Sequence, residues 1–327
     1  MSDHIGRRPV LLSALLLHLM SSVVFLVAPS VDWVIAGRVV QGFATGIATT
    51  AFTAALAEVA PPNRKRVGVA LGSVCLTGGL ALGSLVTGLL IEYAASPNTI
   101  VFTGLSVTTC LGVVAIFYLP ETITRPPDAR PPLVARIAVP DAARAEFTAA
   151  APVVVAIWML SALSGGLAPA LVHSFFHNSS GLLNGVSGFI APAMSATVGL
   201  AIARRDPRRS MLAGILLSIV GAGVIAGSLG AGWVAAMIVG QAVAGAGFGA
   251  SFTAFLRLTS PLVTPTQHAG IAAATYVLSY TAFGIPLVAA GSLTGRLGTA
   301  PTVWSYAAMA VLFALAGLQM QIRILRA

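Results

Sequence analysis

What this sequence lacks most is charge. Only 8% of its 327 residues are Asp, Glu, Lys or Arg, whereas soluble globular domains carry about 25%. A further 57% are hydrophobic, and the mean hydropathy is +0.93. A water-soluble globule is excluded, which leaves an integral membrane protein. Lysine is confined to Lys65; arginine in its place, with abundant Ala and Gly, suggests a GC-rich bacterial source. The two cysteines, Cys75 and Cys110, both lie inside apolar runs, so no disulfide framework is implied and the simplest reading is a pair of buried small hydrophobes. A Gly-rich phosphate loop, a nucleophile triad and a cysteine–histidine cluster are all missing, which excludes ATP hydrolysis and other enzyme chemistry and leaves no resident cofactor to expect. His173 and His177 stand four residues apart in what reads as an outer loop, but no third ligand accompanies them, and metal binding is not expected. Asn178-Ser179-Ser180 is a formal glycosylation sequon, without meaning in a bacterium.

What the chain does have is long apolar runs. They fall near residues 10–28, 34–57, 67–91, 99–118, 150–171, 183–203, 211–229, 233–256, 269–291 and 303–321. Each is close to the roughly 20 residues that carry a helix across about 30 Å of hydrocarbon, and far longer than the strands of a membrane barrel. The expected fold is an all-α polytopic bundle of ten membrane helices. The net charge of +9 could suggest nucleic acid, but its placement argues for topology instead. Alternating the ten spans collects Arg7, Arg8, Arg64, Lys65, Arg66, Arg125, Arg130, Arg136, Arg144, Arg204, Arg205, Arg208, Arg209, Arg323 and Arg326 on one side, with Arg296 alone in the opposite loops. By the positive-inside rule, both termini face the cytoplasm. The partners implied are the lipid bilayer and a small-molecule substrate, with no nucleic acid; nothing indicates an oligomeric state.

Residues 33–56 and 233–256 are two copies of one segment. Trp33, Val34, Ala36, Val39, Gln41, Ala44, Phe52, Thr53, Ala54 and Leu56 recur 200 positions later, and Pro61 recurs as Pro261. A duplication of that length in so apolar a chain points to a transporter built from two halves. Residues 1–118 form an N-terminal bundle of four helices. A Pro-rich, mixed-charge linker covers 119–149, and a C-terminal six-helix bundle covers 150–327. On the 200-residue offset, the helices at 150–203 lack partners, so two further helices are expected ahead of Met1, for twelve as six plus six.

Three motifs carry a family resemblance. Asp3, Gly6, Arg7 and Arg8 match the later part of a G-x-x-x-D-x-x-G-R-R/K loop, and Arg38-Val39-Val40-Gln41-Gly42 matches R-x-x-Q-G. Leu119-Pro120-Glu121-Thr122 is similar to a P-E-T sequence at the end of a sixth helix. Together they resemble the major facilitator superfamily, whose second and third helices are joined by the first motif and whose fourth helix carries the second. Ala70, Gly79, Gly83, Ser84, Thr87 and Gly88 also resemble the fifth-helix glycine pattern of drug/proton antiporters, although Ala70, Ser84 and Thr87 replace Gly, Pro and Gly. Small residues at that spacing equally serve ordinary helix packing.

The resemblance implies that Asp3 pairs with charges at inner helix ends, Arg7 and Glu58 being candidates, and so latches the halves closed. It implies a role in proton coupling for Arg38, which the span boundaries place about one turn inside its helix. A charge there costs about 2.5–3.5 kcal/mol to insert and marks function, unless it snorkels to the interface. Gln41 and Gln241 are symmetry mates expected to face a central cavity or to bond between helices. Tyr276, Ser279, Tyr280 and Pro286 could line a substrate path or simply pack. The expected function is secondary transport by alternating access. Its leading form is proton-driven efflux of a small apolar or amphipathic compound. The rivals are proton-linked uptake of a metabolite and a transport-inactive binding or regulatory protein.

Overall fold

The computed structural model describes residues 6–59, 65–118, 137–264 and 267–326. Among these there are ten helices and no strand: α1 (Arg7–Val27), α2 (Val31–Val59), α3 (Lys65–Tyr93), α4 (Pro97–Tyr118), α5 (Asp141–Ser174), α6 (Gly181–Ala201), α7 (Pro207–Ala231), α8 (Val234–Thr259), α9 (His268–Leu297) and α10 (Thr299–Arg326). Eight are long and apolar enough to cross a membrane; α2 and α3 fall short over their described residues. Asp32, Arg38 and Gln41 lower the hydropathy of the first half of α2.

Local chemistry sets the ends. Asp206 caps α7 by accepting from the Arg209 amide at 2.8 Å, and Pro207 takes the first helical position, where its missing N–H costs nothing. Gly232 stops the same helix with φ 65°, a left-handed conformation that a Cβ disfavours. Ser180 caps α6 through Leu183 N at 3.3 Å. The linker expected to reach residue 149 gives way to helix at Asp141. Pro140 starts the turn, the Ala143 amide donates to its carbonyl at 3.0 Å, and the Ala-rich residues that follow are strong helix formers. His173 is likewise helical, in the last turn of α5, and only His177, at φ 51°, lies beyond it. Inside α5, Leu163-Ser164-Gly165-Gly166-Leu167 is a π-helical segment.

The chain divides into two compact units. Unit 1 comprises residues 1–76 and 90–134; unit 2 comprises 77–89 and 135–327. The helix starts at 7, 31, 65 and 97 recur at 207, 234, 268 and 299, so the duplication seen in one segment extends to four consecutive helices. Pairing repeats as well, since α1 packs on α2 and α4, and α7 packs on α8 and α10. In unit 1, Leu11, Ala51 and Ile116 bring α1, α2 and α4 together. In unit 2, small residues bring backbones close. A Cβ at Gly221 on α7 would stand 2.5 Å from the Ala244 amide nitrogen on α8, and one at Gly245 would overlap the Ala191 carbonyl of α6. The Tyr306 hydroxyl donates to the Met159 carbonyl at 3.0 Å, tying α10 to α5.

Cys75 and Cys110 are exposed, contrary to the buried reading. An apolar thiol on a membrane helix needs no protein core, because hydrocarbon solvates it equally well.

The arginine-rich end of unit 2 holds a polar network that the degenerate sequence Arg204–Arg209 did not announce. Arg208 forks onto Glu146, with Nη1 donating to Oε2 at 3.0 Å and Nη2 to Oε1, and Nη1 also donates to Gln321 Oε1 at 2.6 Å. Arg257 donates to the Arg205 carbonyl at 2.7 Å. The first network joins the starts of α5 and α7 to the end of α10. Its two charged side chains are 18% and 17% exposed, so the pair is largely desolvated. Glu146→Gln is expected to lower the thermal midpoint of the purified protein by an amount equivalent to about 1–3 kcal/mol, and Arg208→Met in the same chain to recover most of it. An unchanged midpoint in the single variant would show that the pair contributes nothing to stability.

Candidate functional site

Arg38 is the sole Arg, Lys, Asp or Glu far from a helix end among the described residues. Because α2 begins at Val31, it lies two turns inside, one deeper than the sequence suggested. Its guanidinium is held on two sides. Nη1 donates to Gln41 Oε1 at 2.7 Å, one turn along the same helix, and the group stacks over the Phe25 ring of α1 at 5.1 Å. Phe25 gets that close because position 37 is glycine, where a Cβ would be 2.8 Å from its ring edge. Phe102 of α4 backs Phe25 at 5.2 Å between centroids. Three helices of unit 1 therefore hold one cation against a neutral amide and an aromatic face.

One face of α2, formed by Arg38, Val39, Gly42, Phe43, Gly46 and Ile47, borders a shallow, wide-open depression of about 520 Å³. Gly42 and Gly46 have nothing within 4 Å of where a Cβ would stand, so both face open space on this side of α2. The lining of the depression is apolar apart from Arg38.

The other sequence candidates scatter. Asp3, Glu121 and the rest of Leu119–Thr122 lie outside the described residues, as does the side chain of Glu58, so the latch partners proposed for Asp3 are not placed. Gly6 is buried at φ 108°, a conformation suited to glycine, and Arg7 is buried beside it. Arg8 stacks over Phe117 of α4 at 5.3 Å. Gly79 and Gly83 face open space, whereas a Cβ at Gly88 would be 2.5 Å from the Gly185 Cα of α6. Of the antiporter-like pattern, Gly88 therefore acts as a packing residue inside unit 2.

The symmetry mates part company. Gln41 is partly exposed and bonded to Arg38, but Gln241 is fully buried with neither side-chain polar atom hydrogen-bonded. It does not face an open cavity in this conformation, and Ile238, which stands where Arg38 does in the first copy, offers its amide no partner. Tyr276 and Tyr280 stack at 6.0 Å, and Tyr280 sits 5.6 Å from the ring of Trp158. Trp158 also meets Phe248, Phe252 and Phe283 at 5.3, 5.9 and 6.2 Å, making an aromatic cluster across α5, α8 and α9. Sequence inspection picked out the two tyrosines but missed Trp158 and the π-helical Ser164. Leu163–Leu167, with its Gly-Gly pair, was the available signal.

A family model described as Major Facilitator Superfamily matches residues 1–176. Membrane transporter D1 of Leishmania donovani is 32% identical over 90 residues, covering 28% of this chain and 16% of that protein. The human proton myo-inositol cotransporter is 36% identical over 83 residues, covering 25% of this chain and 13% of its own length. The matched segments thus span about a sixth or less of these relatives. A solved POT family transporter in complex with 5-aminolevulinic acid superposes with a TM-score of 0.76 at 13% identity, covering 99% of this chain and 83% of that one.

Proposed function

Because the chain belongs to the Major Facilitator Superfamily, we propose that it works as a proton-coupled secondary transporter that moves a small, neutral, hydroxyl-bearing solute by alternating access. The observation that carries the reading is Arg38. A guanidinium two turns inside a membrane helix is costly to place, and here it is positioned by Gln41, Phe25 and Gly37 beside an open depression. A fixed cation held by uncharged partners can bias the protonation of a nearby acid without neutralising it permanently. The solute class is supported by the proton myo-inositol cotransporter among the relatives and by the absence of Asp, Glu, Lys and Arg over residues 147–203 and 210–256 of unit 2. The protein is integral to the membrane; termini on the inside, supported by the arginine asymmetry, and a bacterial cytoplasmic membrane, supported by the use of arginine in place of lysine, belong to the proposal.

Proton-driven efflux of an apolar or amphipathic compound is the second reading, favoured by the glycine pattern of α3 and the close crossing at Gly88. Right-side-out vesicles loaded with a pH dye decide between them. Luminal acidification on adding myo-inositol supports uptake by symport. If instead everted, energised vesicles lose their proton gradient on adding tetraphenylphosphonium, efflux is the function. Proton movement with neither probe would overturn both and favour a binding or regulatory membrane protein.

A further inference from the structure

Of the histidines among the described residues, only His18 lies well inside a membrane span. His173 is in the last turn of α5, His177 lies beyond it and His268 begins α9. His18 is the twelfth of the 21 residues of α1, so about 14–17 Å of helix separates it from either end. An imidazole is too short to snorkel over that distance, as a long arginine can near a helix end. It is also the side chain whose ordinary titration falls between about pH 5 and 8, and an ionisable group inside a span marks function by default.

His18 stands at the centre of the inward face of α1. The buried residues of that helix are Arg7, Leu11, Ala14, Ser21 and Ser22. At 3.6 residues per turn they occupy an arc of about 100°, with His18 near its middle. Register then sets what stands opposite. On α2, Phe25 meets Gly37 and Leu11 clusters with Ala51, so the antiparallel pairing brings His18 level with Ala44. On α4, Phe25 meets Phe102, Leu15 meets Gly112 and Leu11 clusters with Ile116, which brings His18 level with Thr109. Ala44 and Thr109 are buried. His18 itself is half-buried, because Ala14, Ser21, Ala44 and Thr109 are all small and leave room around a ring at that height.

The hydroxyls near that height have their protons committed. Ser21 and Ser22 donate to the His18 carbonyl at 2.8 and 3.0 Å, and Thr109 donates to the Leu105 carbonyl at 2.7 Å. What they leave open are oxygen lone pairs, which suit an imidazolium with two N–H donors. Charged and titratable groups on the packed helices are few. α4 carries only Cys110 and Tyr118, and α1 otherwise only Arg7 and Arg8, about three turns away. On α2, Asp32 and Glu58 stand about 18 Å or more from the level of Ala44, whereas Arg38 is about 9 Å from it. We infer that His18 is the proton-binding group of unit 1. It takes up at a ring nitrogen the proton that accompanies the solute and returns that proton to water on the other side of the membrane. The inference rests on the transport reading above and supplies the acid that Arg38 biases. One proton is bound and one released per cycle, the ring alternating between imidazole and imidazolium with no other bond changed. Imidazolium and guanidinium carry like charges, so protonation of His18 and the placement of Arg38 are coupled.

The test uses the full chain in lipid nanodiscs with its histidines isotope-labelled at Cε1, followed by NMR across a pH series. The His18 signal is identified by its absence from His18→Gln, and is expected to show one transition between about pH 5 and 8. In vesicles at matched protein levels, His18→Gln should lower the number of protons moved per myo-inositol or tetraphenylphosphonium at least about tenfold, whatever rate of solute movement remains. A histidine that only packs would alter the rate and leave that ratio as it was. His18→Asn, a shorter amide, serves as the second variant where the first fails to accumulate. A signal fixed in one form across the series, or a wild-type ratio in either variant, would overturn the inference. A titrating signal in a chain that moves no proton with either probe would sink the transport reading and leave His18 standing as a proton-binding site.

Discussion

Arg38→Leu is expected to lower proton-coupled solute movement at least about 100-fold, equivalent to about 2.7 kcal/mol of barrier, while membrane abundance stays level or rises. Removing a charge from a span lowers the insertion cost by about 2.5–3.5 kcal/mol, so poor biogenesis would not explain a loss of transport. What disappears is a cation fixed in place by a 2.7 Å bond to Gln41 and a 5.1 Å contact with Phe25. Charge alone is not enough. Arg38→Lys should recover only a small part of the activity, since an ammonium is a point charge that cannot stack flat on a ring while donating sideways from a planar fork. Vesicle uptake at matched protein levels measures both variants. Normal rates for Arg38→Leu would mean the side chain only snorkels to the outer interface, and the proton-coupling role would be withdrawn.

Much of the architecture was legible because membrane helices must satisfy their backbone internally and last about 20 residues, so the apolar runs map directly onto elements. The expected run at 211–229 became Pro207–Ala231, with the extra turns supplied by the Asp206 cap and the Gly232 stop. The 200-residue offset found in Trp33–Leu56 holds to within about three residues for four helix starts in the structure. What failed was burial. In water an apolar residue in a helix points to a core, but in hydrocarbon Cys75 and Cys110 can face outward at no cost. Hydropathy therefore gives spans and says little about faces.

The site was half legible for a related reason. Arg38 stood out as a charge inside an apolar run, yet its partners Phe25 and Gly37 look like any other residues of such runs. Gln41 and Gln241 match in the sequence alignment and differ in the fold because a third position, Arg38 against Ile238, decides whether the amide has a partner. Symmetry in the sequence predicted the same backbone but not the same chemistry. The network of Arg208, Glu146 and Gln321 was hidden for the opposite reason: its members are 62 and 113 residues apart and follow no spacing rule.

Gly221→Leu is expected to be the most damaging single change in unit 2, preventing accumulation of folded protein. At this crossing a Cβ would lie 2.5 Å from the Ala244 nitrogen and 2.8 Å from its Cα and Cβ. Backbone atoms cannot rotate away as a side chain can, so α7 and α8 would have to separate, losing van der Waals contact along their whole interface. Gly240 against Ile225 and Gly247 against Ser218 belong to the same interface, so the strain would spread beyond one turn. Overpacking in ordinary cores costs about 1–3 kcal/mol, and two rigid backbones place this substitution at or above that range. Gly227→Leu is the control. It makes the same change in size and helix propensity on the same helix, but nothing lies within 4 Å of its Cβ, so the added side chain extends into open space. Size-exclusion profiles and membrane abundance of the two variants separate the causes. A loss confined to Gly221→Leu would assign the effect to the crossing, whereas equal behaviour of both variants would show that α7 and α8 do not meet this closely.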